Sequence, residues 1–214
     1  MHTENASPPI SVVFSELTHV YNHHAVFTPQ NGIIKPGSEC LIKGRNGSGK
    51  STLGQILCGE LSPSEGVIEW HVNQEACNHE ELALSSYRVS PSTSLHPQLK
   101  LGELLEFHLQ HRNWRPNIDL DMWLESAGLK RHQNKWFMNL SSGLQQRIKL
   151  AIAMASDSGL VVLDEPTSNL DPSGIEWFRD LLRAIKGKTT IVICSNERSE
   201  DFLDPDTVLN LDDV

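Results

Sequence analysis

Gly44, Asn46, Gly47, Ser48, Gly49, Lys50, Ser51 and Thr52 belong to one stretch, GRNGSGKST, which fits the spacing GxxxxGK[ST]. Glycines allow the backbone to curl so that its N–H groups face a phosphate. A helix opening at Lys50 adds its positive end. Lys50 can reach the β- and γ-phosphates of a bound nucleotide, and Ser51 can ligate Mg²⁺. A second set of reactive groups ends LVVLDEP at 160–166, where two carboxylates follow four apolar residues. Asp164 suits the Mg²⁺ shell, and Glu165 suits orienting and polarising an attacking water. The third set is LSSGLQQR at 140–147. Ser141 reads as a helix N-cap, and a serine and a glycine at an uncovered helix start also make a phosphate site.

These groups need rigid elements behind them. ISVVF at 10–14, SECLIK at 38–43 and GVIEW at 66–70 read as strands. STLGQILCGEL at 51–61 has helical spacing, leading straight out of the glycine loop. LVVL at 160–163 and TTIVIC at 189–194 are compact apolar runs of the kind found in buried parallel strands, and GIEWFRDLLRAI between them reads as a crossover helix. The middle of the chain reads differently. LGELLEFHLQHR at 101–112, LDMWLESAGL at 120–129 and LQQRIKLAIAMA at 144–155 are helical, with Gly128 a stop and Pro91, Pro97 and Pro116 as punctuation. The expected fold is therefore α/β: a P-loop NTPase core, a doubly wound and mostly parallel sheet, with an antiparallel β edge and an inserted helical subdomain. Residues 1–214 form one domain, with the helical block at about 87–145.

The order of glycine loop, helical block, LSSGLQQR, LVVLDEP and then SNLD resembles the ATP-binding subunit of ATP-binding-cassette (ABC) transporters over nearly the whole chain. The resemblance implies that two cassettes pair head to tail. ATP would lie between the glycine loop of one cassette and the signature, here LSSGLQQR, of the other. It implies an adenine-stacking role for Tyr21, γ-phosphate contact across the dimer for Ser141, Ser142 and Gly143, and a place at the dimer seam for Asp171. Four positions depart from the family pattern. In the signature LSGGQ, Ser142 replaces a glycine and Leu144 replaces the glutamine. Pro91 stands where the family has a glutamine that senses Mg²⁺ and water, and Gln98, the nearest glutamine, reads as a surface residue. Asn196 stands where the family has a histidine that contacts the γ-phosphate. Glu165, Lys50 and Asn196 are thus the expected catalytic groups, in a site with two altered sensors.

The bulk properties narrow the partners. A net charge of −9 argues against a nucleic-acid sheath. The apolar runs are too short to span a bilayer, and the start MHTENASPP has no secretory pattern. Cys40, Cys58, Cys77 and Cys194 are widely separated and read as reduced structural thiols. The expected function is ATP and Mg²⁺ binding with hydrolysis at a dimer interface, powering a separate transmembrane permease from the cytoplasmic face of the membrane. The alternatives are a soluble ABC-type ATPase and a non-hydrolysing ATP-dependent dimerisation switch. A small-molecule kinase fits poorly, because it needs no second phosphate device.

Overall fold

The computed structural model describes residues 6–116, 118–196 and 198–212. Met1–Asn5 of the N-terminal stretch read above lie outside the described residues.

A five-stranded parallel sheet forms the centre. Its strands are β5 (Glu39–Lys43), β8 (Ser86–Val89), β9 (Leu160–Asp164), β10 (Thr190–Ser195) and β11 (Thr207–Asn210), in the order β11-β5-β10-β9-β8. The three central strands are apolar on both faces, and alternate side chains enter different cores. Leu41, Val161, Leu163, Ile191 and Ile193 point to one side, where α5 (Ser142–Ala155), α6 (Pro172–Ile185) and the helical block pack. Cys40, Ile42, Leu160, Val162, Val192 and Cys194 point to the other, against α1 (Lys50–Leu57). This period-two division is why the runs read as uninterrupted apolar stretches. Truncating one of the leucines or isoleucines among them to alanine would cost about 2–5 kcal/mol, since both faces are packed.

The antiparallel part is a separate four-stranded sheet, made of β1 (Ile10–Thr18), β4 (Gln30–Ile34), β6 (Glu65–Val72) and β7 (Glu75–Cys77), in the order β4-β1-β6-β7. It covers the α1 side, and the Trp70 indole N–H donates to the Leu57 carbonyl at the end of α1, at 2.8 Å. That helix is shorter than its apolar spacing predicts, because Gly59 adopts φ +78° and turns the chain. A two-stranded ribbon, β2 (Val20–Tyr21) and β3 (His24–Ala25), projects beside the glycine loop.

The helical block contains α3 (Leu101–His111) and α4 (Leu120–Ser126), preceded in the chain by α2 (His79–Ser85). Gly128 ends α4 as expected: at φ +67° it lets the Leu129 N–H reach the Leu124 carbonyl. The block begins later than its expected boundary. Tyr87–Val89 pair with β9 as the edge strand of the parallel sheet, so the helical insertion starts after Val89.

Candidate functional site

Strand register brings the reactive groups together. Along the sheet Lys43 is level with Ser195, and Asp164 is level with Cys194. The chain leaves these three strands at the same edge, as Gly44, Glu165 and Asn196. Three segments far apart in sequence therefore converge at the carboxyl ends of adjacent parallel strands.

The glycine loop is held by geometry that other residues would disrupt. Gly49, the residue before α1, has φ +94°, and a Cβ there would lie 2.7 Å from the Phe27 ring. Lys50 is buried, and its ammonium donates to the carbonyls of Gly44 and Arg45 at 2.7 and 2.9 Å. The Ser48 hydroxyl is buried without a partner. Asn46 is exposed at the loop's crest, Gly47 lies beside it, and Thr52 is half-buried in the first turn of α1. The loop is tied to the chain's far end, where Asp212 accepts from the Arg45 backbone N–H with both carboxylate oxygens at 3.0 Å.

Asp164 is almost fully buried at the end of β9. Burial pushes its carboxyl up, and a hydrogen bond with Ser51 works in the opposite direction. A desolvated carboxylate beside a hydroxyl is a donor set that suits Mg²⁺. Glu165 takes a left-handed backbone, φ +47°, uncommon for a residue with a side chain. Its N–H donates to the Cys194 carbonyl at 2.9 Å, and its carboxylate accepts from Ser168 at 3.3 Å. The Asn196 amide donates to Glu165 Oε1 at 2.8 Å and also to Asn46 Oδ1. Asn196 Oδ1 is buried and unpaired. Two of the buried polar atoms without a partner, Ser48 Oγ within the loop and Asn196 Oδ1 across from it, fall here, as expected of a polar ligand site.

The signature lies on a different face. Ser141 caps α5, accepting from the Leu144 N–H at 3.4 Å, and Ser141 and Ser142 are exposed. Gly143 is required sterically, since a Cβ there would stand 2.6 Å from the Asn169 carbonyl in the SNLD loop. Leu144, in the place of the family's glutamine, is half-buried against the main core and so anchors the helix start. Asp171 caps α6 through the Gly174 N–H at 2.9 Å and accepts from the Arg147 guanidinium, which holds its carboxyl below the usual range. A cavity of about 470 Å³ lies over these groups.

Other expected residues are placed as follows. Tyr21 is about half exposed on β2, its ring edge-on to His19 at 4.5 Å. The cleft of about 620 Å³ beside the glycine loop is walled by Ala25–Pro29, and Tyr21 is not among its lining residues. Pro91 is exposed in the loop after β8, where hydroxyls of Ser90, Ser92 and Thr93 bond one another. Gln98 is exposed, as read. Cys40, Cys58 and Cys194 are buried and Cys77 partly so; burial pushes the Cys40 and Cys58 thiols up to about 12.

Sequence reasoning passed over three residues. Gln146 donates to the Pro166 carbonyl at 2.9 Å and so tethers α5 to the segment after Glu165. Arg147 joins the signature to Asp171 and Ser173. Asp201 is wholly buried and receives hydrogen bonds from Thr167 and Ser195. The first two were visible as the QQR that ends LSSGLQQR. Asp201 carries no local signal.

A glycine loop between strand and helix, with paired carboxylates on a neighbouring strand end of a parallel sheet, defines a P-loop NTPase fold. Within that class the chain belongs to the ABC transporter family, which it matches over residues 27–168. It is 30% identical over 190 residues to the cytochrome c biogenesis ATP-binding export protein CcmA of Mannheimia succiniciproducens, covering 87% of this chain and 86% of that protein. It is 32% identical over 160 residues to the mouse retinal-specific phospholipid-transporting ATPase ABCA4. That match covers 73% of this chain but only 7% of the much longer relative. The share is 23% for the ABC-type transporter claG of Penicillium crustosum. Among solved structures, the dimeric post-hydrolysis state of the ATP-binding cassette MJ0796, bound to ADP and Pi, superposes with a TM-score of 0.76. It is 25% identical and covers 94% of each chain.

Proposed function

We propose that this chain binds ATP with Mg²⁺ and hydrolyses it in a head-to-tail dimer, driving a separate membrane permease. One observation carries the reading: the Asn196 amide joins the carboxylate of Glu165 to Asn46 of the glycine loop, so three distant segments meet at one point. Lys50 and the loop N–H groups would hold the phosphates, and Ser51 with Asp164 would hold Mg²⁺, which supplies positive charge to the phosphate oxygens. Glu165 orients and deprotonates the attacking water. Asn196 supports that carboxylate and offers a donor near the γ-phosphoryl group, where charge develops. Asparagine does this without a cationic form, unlike the family's histidine. Tyr21 would stack on the base. Ser141, Ser142 and Gly143 would face the partner's nucleotide, with Asp171 beside them at the seam.

The permease role rests on the family and on two surface features. No helix among the described residues is long and apolar enough to cross a membrane. A cavity of about 320 Å³ lies between the end of α1, β8 and α3, lined in part by Glu60, Tyr87, His108 and Arg112. Phe107 and Leu109 of α3 are exposed close to it in the chain. This surface, where α3 of the helical block meets the end of α1 and β8, is where a permease would dock, holding the chain at the cytoplasmic face of the membrane.

Phosphate release by the purified chain, with Lys50→Ala as control, tests the ATPase reading. Release by the parent at the control's rate overturns it. The altered sensors, Pro91 and Asn196, favour a second reading in which ATP only closes the dimer. ATP-dependent dimers without phosphate release would select it. Copurification of a membrane protein tests the permease.

A further inference from the structure

Asp201 lies in the run SEDFLDPD, which is acidic and reads as solvated surface. In the structure it is 0% exposed. Its Oδ1 accepts from the backbone N–H of Thr167 at 3.1 Å and from the Thr167 hydroxyl, and its Oδ2 accepts from the Ser195 hydroxyl. All the donors are uncharged, and no ion pair to Asp201 is present among the described residues. A buried carboxylate is costly unless every lone pair is used, so this one is kept by its geometry. Thr167 stands two residues after Glu165, and Ser195 stands one residue before Asn196. The Ser195 hydroxyl also accepts from the Arg198 N–H at 3.2 Å, closing the turn that carries Asn196. The carboxylate thus braces the two segments whose side chains meet at 2.8 Å.

We propose that Asp201 is a positioning residue that holds Asn196 in contact with Glu165. Asparagine has a short side chain with two rotatable bonds. It cannot absorb a shift of its backbone and still reach both Glu165 and Asn46. A brace at residues 167 and 195 removes that shift. Gln146 holds the same stretch from the other side, through the Pro166 carbonyl. The catalytic consequence rests on the hydrolysis reading above, whereas the brace itself does not.

Two measurements test it. In ¹⁵N-labelled protein without nucleotide, the Asn196 side-chain amide is followed by NMR in the parent, Asp201→Asn and Ser195→Ala. Asparagine presents an NH₂ group to donors, and alanine at 195 removes one arm, so either change loosens the brace. The expected result is about tenfold faster exchange of the Asn196 amide protons, the equivalent of one lost charge-assisted bond, with β9 and β10 still protected. An unchanged Asn196 amide in both variants overturns the proposal. If Asp201→Asn does not fold, Ser195→Ala decides. The second measurement is kinetic. Asp201→Asn should lower kcat by up to about tenfold, no more than removal of Asn196 itself, and leave KM for ATP unchanged. In an Asn196→Ala background the same change should cost almost nothing. Equal losses in both backgrounds mean that Asp201 does not act through Asn196, and the proposal fails. If the parent shows no hydrolysis, the ATPase reading fails and the NMR result alone judges the brace.

Discussion

At the glycine loop the reactive groups sit on the ends of buried strands, whereas at the signature they stand at an exposed helix start. Lys50 and Asp164 are almost wholly buried, and Ser48 and Asn196 keep unpaired polar atoms beside them. At the signature Ser141 and Ser142 are exposed, and Asp171 is already satisfied by Gly174, Arg147 and Ser173. The first region is prepared for a ligand within one chain. The second exposes hydroxyls and a helix end, with Asp171 and Arg147 paired to each other. Groups built this way suit a composite site. In the proposed dimer, one half would supply chemistry from rigid strands, and the other half, from a second copy, would supply closure.

The largest effect that could break this contrast is at Glu165. Glu165→Gln keeps the shape and removes the general base, so hydrolysis should fall by about 10²–10⁴-fold in a phosphate-release assay. With ATP and Mg²⁺ the same variant should accumulate as a dimer in size-exclusion chromatography. Adding Ser141→Arg should return it to monomer by crowding the partner's phosphate. A stable dimer in the double variant would show that the signature face is not the second half of the site. Lys50→Ala comes next. It should weaken ATP binding by about 10- to 100-fold in calorimetry, the loss of charge-assisted bonds, with the fold intact. Equal affinity would remove the glycine loop from the comparison.

Legibility in the sequence followed the same division. The apolar runs at 160–163 and 189–194 announce themselves because a strand buried on both faces can carry little else. The glycine loop is legible because its backbone tolerates few other residues. The edge strands β8, SYRV, and β11, TVLN, carry no clear strand signal, since two of the four residues of each are polar and the apolar run is broken. QNGII of β4 fails for the same reason, with Gly32 in mid-strand against the Phe14 ring. At the site, Asp164 and Glu165 could be named from their place after an apolar run, and Asn196 from the resemblance to the family's histidine position. Their contact could not, because it depends on the register of β9 and β10. Asp201 was hidden altogether: a lone acid among SEDFLDPD looks like surface until the chain folds back on Thr167.

Asn196 measures how far the strand-borne half is complete. Its amide lies on Glu165, so Asn196→Ala should lower kcat by about tenfold and leave ATP affinity unchanged. That is less than the 10²–10³ of a dedicated transition-state donor, because asparagine divides its donor group between two acceptors. Asn196→His should match or exceed the parent rate. If the alanine variant hydrolyses ATP at the parent's rate, Asn196 only finishes β10, and the glycine-loop half lacks a γ-phosphate sensor.

The smallest expected effect lies in the signature half. Arg147 holds the Asp171 carboxyl below its ordinary value of 3.8, chiefly by direct hydrogen bonding. A carboxyl with a lowered folded value stabilises the native state in its charged form. That contribution is complete above about pH 3.8 and is lost as pH falls through the lowered folded value. Arg147→Ala removes the largest part of it, along with the bonds to Ser173 and Ala127. Thermal melts of parent and variant should therefore differ by a constant amount from pH 5 to 8, and the gap should narrow below about pH 3.8. The change should be slight, since the Asp171 side chain is 64% exposed and water screens the pair. A gap that stays flat into the acid range would mean that Arg147 supports the helix start through Ser173 and Ala127 alone. Asp171 would then be held by Gly174 and Ser173 without an ion pair, contrary to the contrast drawn with the glycine loop.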